Sequence, residues 1–107
     1  MVRPYEVDMT ITKIQDGDAV TLQVDGRVDT NTSPELQKAI LEAFQSAKKL
    51  TLDLEKVVYV SSAGLRALLL GQKTASSKGA SMELLHVAPT VKAVLDSVGF
   101  SKILTLR

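Results

Sequence analysis

With 107 residues, 45% of them hydrophobic and 23% charged, and a formal charge of +1, residues 1–107 have the size and balance of one globular domain and not of a disordered or collagen-like chain. The absence of cysteine and the single histidine, His86, exclude disulfides, thiolate nucleophiles, iron–sulfur ligation and a structural zinc site, and four scattered aromatics in a charge-balanced chain offer no surface for direct nucleic-acid binding. The apolar stretches at 57–60 and 67–70 are far short of the roughly 20 residues that span a bilayer, and residues 1–8 lack a signal-peptide core, so a cytoplasmic protein with no membrane partner is expected.

Tyr5, Val7, Met9 and Ile11 alternate with Glu6, Asp8 and Thr10, which predicts a half-buried strand over 5–11. Asp16-Gly17 supplies the positive φ angles of a tight hairpin, and Val20, Leu22 and Val24 alternate beyond it, so the first two strands are expected to run antiparallel. Residues 26–32, Gly-Arg-Val-Asp-Thr-Asn-Thr, read as a polar loop entering a helix. Thr32 with Glu35 fits a capping box; Ser33 before Pro34 fits a cap with proline at the first helical position. Leu36, Ile40, Leu41, Phe44 and Ala47 form the apolar stripe of that helix.

Leu50, Leu52 and Leu54 alternate with polar residues, and 57–60 follow as a β-branched and aromatic run, giving a strand and then a buried approach. Ser61-Ser62-Ala63-Gly64 ends it. Leu65, Leu68, Leu69 and Ala75 resume at helical spacing up to Lys78-Gly79, a C-terminal cap. Residues 82–87 read as a strand, 89–97 as a helix opened by proline, and 103–106 as a last strand. The order ββαβαβαβ predicts an α/β fold whose mixed central sheet has helices packed on it.

Binding sites in such folds gather where strands end and helices begin. The segments 26–33 and 60–66 both qualify, and if their strands are neighbours, Asp29 and Ser62 share one rim. Ser62 has two readings: the N-cap of the second helix, or an accessible hydroxyl at a helix start kept open by Ala63 and Gly64. A phosphoryl group there adds about −1.5 to −2 charges, which a helix N-terminus tolerates.

Gly26-Arg27-Val28-Asp29, the run from Leu52 through Val60 and Ser61-Ser62-Ala63-Gly64-Leu65-Arg66, and Pro89, Val91, Leu95, Gly99 and Ile103 resemble the STAS domains of bacterial anti-sigma-factor antagonists over nearly the whole chain. The resemblance implies the STAS fold and a non-enzymatic partner switch in transcription regulation, without a cofactor. In that family the unmodified antagonist binds an anti-sigma factor and frees a sigma factor. The anti-sigma factor is also a serine kinase that uses ATP to phosphorylate the antagonist, and a serine phosphatase resets the switch. Matching the Ser-Ala-Gly-Leu run to the family motif puts the acceptor at Ser62. Ser61, the second candidate, stands where the family usually has aspartate.

Asp29 matches a loop aspartate that presents the acceptor; it equally reads as a loop or cap carboxylate. Thr30, Ser61, Ala63, Gly64 and Arg66 complete the expected partner-binding or presenting set. Arg66, one turn after Ser62, either pairs with a phosphate or is a solvated helix cation. Leu65 and Leu68 fit core packing better than partner contact. Two other functions compete: a STAS module binding a nucleotide or a transport-complex subunit, and a hydrolase with Ser62 as nucleophile, His86 as base and Asp29 as orienting acid. The second lacks a Gly-x-Ser-x-Gly elbow.

Overall fold

A computed structural model describes residues 8–107. The elements are β1 (Met9–Asp16), β2 (Ala19–Val28), α1 (Ser33–Ala43), β3 (Lys49–Val60), α2 (Ser62–Lys78), β4 (Ser81–Leu85), α3 (Pro89–Ser97), a 3-10 turn (Phe100–Lys102) and β5 (Thr105–Leu106). The five strands lie in sequence order in one sheet; β1 and β2 are antiparallel, and β2–β3, β3–β4 and β4–β5 are parallel. This is the mixed α/β sheet expected from the element order. The hairpin turns on Gly17 and Asp18, with Asp16 paired to Ala19; only Gly17 has positive φ, at 63°. Of the strand expected over 5–11, Tyr5, Glu6 and Val7 lie outside the described residues.

Leu22, Leu36, Ile40, Leu50, Leu52, Leu54, Leu68, Leu84 and Leu95 are fully buried in one core between the helices and one sheet face. Removing such a side chain from water stabilises by roughly 1.5–3 kcal/mol. The alternating residues Gln23, Asp25 and Glu55 face solvent. Leu41, assigned to the buried stripe of α1, is 40% exposed, since it sits on the flank of the helix while Leu36, Ile40 and Ala43 turn inward.

Several boundaries move from their sequence expectations. Residues 26–28 are not loop: β2 runs to Val28, so the connection to α1 shortens to four residues, 29–32. Gly26 makes this extension feasible. Its φ is 115° and a Cβ there would stand 2.1 Å from the Asp8 carbonyl oxygen, so only glycine fits. The strand read over 82–87 ends at Leu85, where His86 takes φ 58°, and the strand read over 103–106 shrinks to Thr105–Leu106 because Phe100–Lys102 coil into a 3-10 turn.

The stretch 57–60 is not a uniformly buried approach either. It continues β3, with Val57 and Val60 buried while Val58 is 70% and Tyr59 43% exposed. The cause is the β2–β3 register. Gln23 pairs with Asp53 but Asp25 with Lys56, and Gly26 pairs with Val57 but Arg27 with Tyr59, so β3 carries one extra residue at each shift. Each bulge resets the in–out alternation, and burial passes from Leu50, Leu52 and Leu54 to Val57 and Val60.

Candidate functional site

The parallel pairing of β2 with β3 decides the geometry, because their C-terminal ends deliver the 29–32 loop and the start of α2 to one rim. Val28 pairs with Val60, and the Ser61 amide donates to the Val28 carbonyl at 2.8 Å. Gly64 packs so closely that a Cβ would be 2.8 Å from that same carbonyl oxygen. Asp29 and Ser62, each the next residue beyond these contacts, therefore flank the same junction.

The two serines divide their work differently from the sequence reading in which Ser62 caps the helix. Ser61 is the N-cap: it keeps extended backbone at φ −86° and ψ 177°, and its Oγ accepts from the Gly64 amide at 3.3 Å. The sheet bond at its amide holds Ser61 in the strand conformation an N-cap requires. Ser62 becomes the first helical residue, and it is exposed. Its hydroxyl makes no hydrogen bond among the described residues.

Asp29 is held by its own loop. Its Oδ1 accepts from the amides of Asn31 at 2.9 Å and Thr32 at 3.1 Å. The Thr32 hydroxyl lies 3.3 Å from that oxygen, accepts from the Asp29 amide and donates to the Arg27 carbonyl, both at 2.8 Å. Thr32 is thus at the N-cap position of α1 but makes no side-chain bond into the helix; the capping box is replaced by an Asx-type turn centred on Asp29. Partial desolvation pushes the Asp29 carboxyl up, but the Thr32 and Asn31 amides, the Thr32 hydroxyl and the Arg27 guanidinium together hold it below its usual value. It stays an anion at neutral pH.

The remaining expected residues sort by exposure. Thr30 and Arg66 are exposed, Ala63 is half-buried, and Gly64 is buried against Val28 and Val60. Leu65 and Leu68 belong to the core. Arg27 and Tyr59 belong to the segments that carry the family resemblance but not to the expected site residues: the Arg27 guanidinium lies 4.6 Å from the Tyr59 ring centroid and its Nε 3.8 Å from Asp29 Oδ2. Only the bulged register brings this pair together, so no sequence spacing could announce it.

The serine-hydrolase constellation is not assembled. His86 Nδ1 lies 3.0 Å from Asp53 Oδ1, and Asp53 precedes the end of β3 by seven residues, which is roughly 20 Å at strand rise. That hydrogen bond to Asp53 raises the His86 pKa, opposed by partial desolvation and assisted by the charges of Asp53 and Glu55. Among the described residues no group of His, Asp and Glu can hold a metal ion, and no helix is long and apolar enough to cross a membrane. A depression of about 250 Å3 lies on the open sheet face among Thr10, Thr12, Gln23, Asp25 and Asp53, away from the serines. Beside the rim lies an apolar notch of about 120 Å3 between Val58, Tyr59 and α3.

A sequence model of the family described as "Mlab, STAS domain" matches residues 11–106. A STAS-domain containing protein of Pseudomonas aeruginosa (strain UCBPP-PA14) is 27% identical over 97 residues, which cover 89% of this chain and 96% of that protein. The anti-sigma F factor antagonist of Paenibacillus polymyxa is 29% identical over 87 residues, covering 79% and 74%. Among solved structures, the unphosphorylated anti-sigma factor antagonist SpoIIAA superimposes with a TM-score of 0.78 at 18% identity, covering 92% of this chain and 88% of that one. A sulfate transporter family protein from Wolinella succinogenes does so with a TM-score of 0.74 at 18% identity, covering 86% and 75%.

Proposed function

The chain belongs to the STAS-domain family, and on that basis we propose that residues 1–107 form one STAS domain acting as an anti-sigma-factor antagonist, cytoplasmic and without catalytic activity of its own, switched by phosphorylation of Ser62. Unmodified, it binds an anti-sigma factor that is also a serine kinase and so frees a sigma factor. In the modifying step the Ser62 hydroxyl attacks the γ-phosphorus of ATP; the Oγ–P bond forms as the β–γ bridge breaks, ADP leaves and the hydroxyl proton is released. A serine phosphatase hydrolyses the ester and restores the binding form.

The observation that carries this reading is the division of labour between the two serines. Ser61 supplies the cap, while Ser62 is exposed at the first helical position. Modification of Ser62 therefore leaves the cap intact, and Ser61 is the poorer acceptor because its oxygen is engaged. Asp29, a fixed anion beside the helix start, presents the acceptor to the kinase, with exposed Thr30 next to it and the small Ala63 leaving the approach open, while Gly64, buried against Val28 and Val60, lets the start of α2 sit close to the sheet. The likeness to SpoIIAA and to an anti-sigma F factor antagonist supports the partner class.

Phosphorylation places nearly two charges on the contact surface. Two unit charges 4 Å apart interact by about 4 kcal/mol at an effective dielectric near 20, so a phosphate facing a partner carboxylate weakens binding by several decades. Glutamate, with one charge and less bulk, is expected to weaken it about tenfold. The test is a titration of the purified anti-sigma factor with wild-type protein, Ser62→Ala, Ser62→Glu and the phosphorylated form, with phosphopeptide mass spectrometry after kinase treatment. Binding by wild type and Ser62→Ala, weaker binding by Ser62→Glu and none by the phosphoprotein support the switch. Equal affinities of all four folded forms, or phosphate on Ser61 with Ser62 bare, overturn it. The Wolinella succinogenes likeness favours a second reading, a subunit docked on a transport complex; it predicts partner binding indifferent to Ser62.

A further inference from the structure

Arg27 has more binding capacity than the unmodified site uses. Its guanidinium is a planar fork with five N–H donors, yet among the described residues it donates no hydrogen bond. It lies over the Tyr59 ring at 4.6 Å and approaches Asp29 Oδ2 only to 3.8 Å through Nε, and its side chain is 53% exposed. Asp29 cannot close that gap, because its other oxygen is committed to Asn31 and Thr32. The backbone of Arg27 is equally fixed: its amide donates to the Asp8 carbonyl at 2.8 Å, and Gly26 before it admits no side chain. What remains mobile is a long cationic side chain attached to a rigid base.

That base adjoins the proposed acceptor. Arg27 pairs with Tyr59, Val28 with Val60, and the Val28 carbonyl receives the Ser61 amide. The guanidinium already reaches past Val28 to the carboxylate of Asp29, the residue flanking the junction with Ser62. On the other side stands Arg66, exposed and one helical turn after Ser62, its guanidinium without a hydrogen bond among the described residues. Side chains on a helix lean toward its N-terminus, which brings Arg66 over Ser62.

Resting on the reading of Ser62 as phosphoryl acceptor, the geometry points to Arg27 as a transferable arm that leaves Asp29 and binds the Ser62 phosphoryl group from the β2 side, with Arg66 binding it from α2. A dianion with three acceptor oxygens offers the guanidinium short, bidentate, charge-assisted bonds that a single carboxylate oxygen at 3.8 Å does not. The transfer has a consequence for recognition. Tyr59 loses the cation that covers its ring, and Asp29 loses its partner, so the phosphorylated rim differs from the unmodified one on β2 and β3 as well as at the serine.

The experiment needs no kinase: phosphoserine is encoded at position 62, and the phosphate is titrated by 31P NMR in wild type, Arg27→Gln, Arg66→Gln and the double variant. Bound cations favour the dianion, so the second ionisation in wild type is expected about half a unit below its ordinary value near 6, a roughly threefold preference for the dianion. Arg27→Gln restores part of that shift and the double variant all of it. An Arg27→Gln midpoint equal to wild type, or a shift removed entirely by Arg66→Gln alone, overturns the proposal. Amide spectra check the fold of each sample. Should Arg27→Gln not fold, the Arg27 Nε–Hε resonance of wild type decides: it moves between serine and phosphoserine forms if the arm transfers, and stays if it does not. A negative result here leaves the kinase and binding tests unaffected, so the two failures are separable.

Discussion

Replacing Gly64 with alanine adds one methyl group where the start of α2 meets the end of the sheet. The new Cβ would lie 2.8 Å from the Val28 carbonyl oxygen, 2.8 Å from Val60 Cγ1 and 2.9 Å from Val28 Cγ1. A relaxed contact needs several tenths of an ångström more, and the carbonyl oxygen is backbone of a strand already bonded to the Ser61 amide. The helix must move instead. Against that stands the gain of exchanging glycine for alanine in a helix, at most about 1 kcal/mol. Overpacking costs about 1–3 kcal/mol, and three contacts under 3.0 Å, one of them backbone, place this site in the upper part of that range, so the net expectation is a loss of about 1–2 kcal/mol. At a urea slope of about 1–1.5 kcal/mol/M this lowers the midpoint by roughly 1 M. The same shift parts Ser62 from Asp29, so phosphorylation is expected to slow beyond what stability explains. Gly71→Ala in the same helix is the control, because its Cβ also meets an atom at 2.8 Å, but that atom is the sulfur of Met82, the flexible end of a side chain that can swing away. Ile40 Cγ2 at 3.2 Å must also give, so Gly71→Ala should be less destabilising than Gly64→Ala. Gly64→Ala as stable as wild type, or Gly71→Ala the more damaging of the two, would falsify the argument that the partner's rigidity decides the sign.

Ser61→Ala removes the N-cap of α2 and is expected to lower stability by about 1 kcal/mol, whereas Ser62→Ala stays within about 0.5 kcal/mol of wild type; chemical melts showing the reverse order would return the cap to Ser62. Asp29→Asn keeps an oxygen for the Asn31 and Thr32 amides but loses the charge, so phosphorylation should slow while the melt at neutral pH falls only by the small amount that wild type loses through Asp29 in its acid limb. The folded pKa of Asp29 is depressed, so its stabilisation is complete above the unfolded value near 3.8 and is lost as pH falls through the folded value; an acid limb as steep in Asp29→Asn as in wild type contradicts the loop geometry. The folded pKa of His86 is raised, so its pairing with Asp53 stabilises fully below the ordinary value of 6.5 and fades as pH rises through the folded value. An NMR titration of the imidazole should therefore show a midpoint above 6.5 that drops in Asp53→Asn; a midpoint unmoved by that substitution removes Asp53 as the cause.

The features legible from sequence alone are those whose cause is local. The start of α3 at Pro89 follows from the sequence because proline opens a helix at its first turn, and the end of α2 at Gly79 follows because a left-handed cap, here φ 66°, is open to glycine at no steric cost. The alternation of Leu50, Leu52 and Leu54 reports a strand with one buried face, and the Ser61–Arg66 run carries the family likeness in consecutive residues. Pairing between strands distant in sequence is decided elsewhere. Whether Ser61 or Ser62 caps α2 cannot be read from two adjacent residues of identical chemistry; the Val28 carbonyl selects Ser61 by holding its amide in the sheet. The two bulges of β3 depend on its register against β2, and they alone expose Tyr59 and set it beneath Arg27. Asp29 was recognisable as a loop carboxylate, but its place beside Ser62 required β2 and β3 to be parallel neighbours. Side-chain chemistry and period are written along the chain, whereas register is settled by which pairing buries the most apolar surface across the whole sheet.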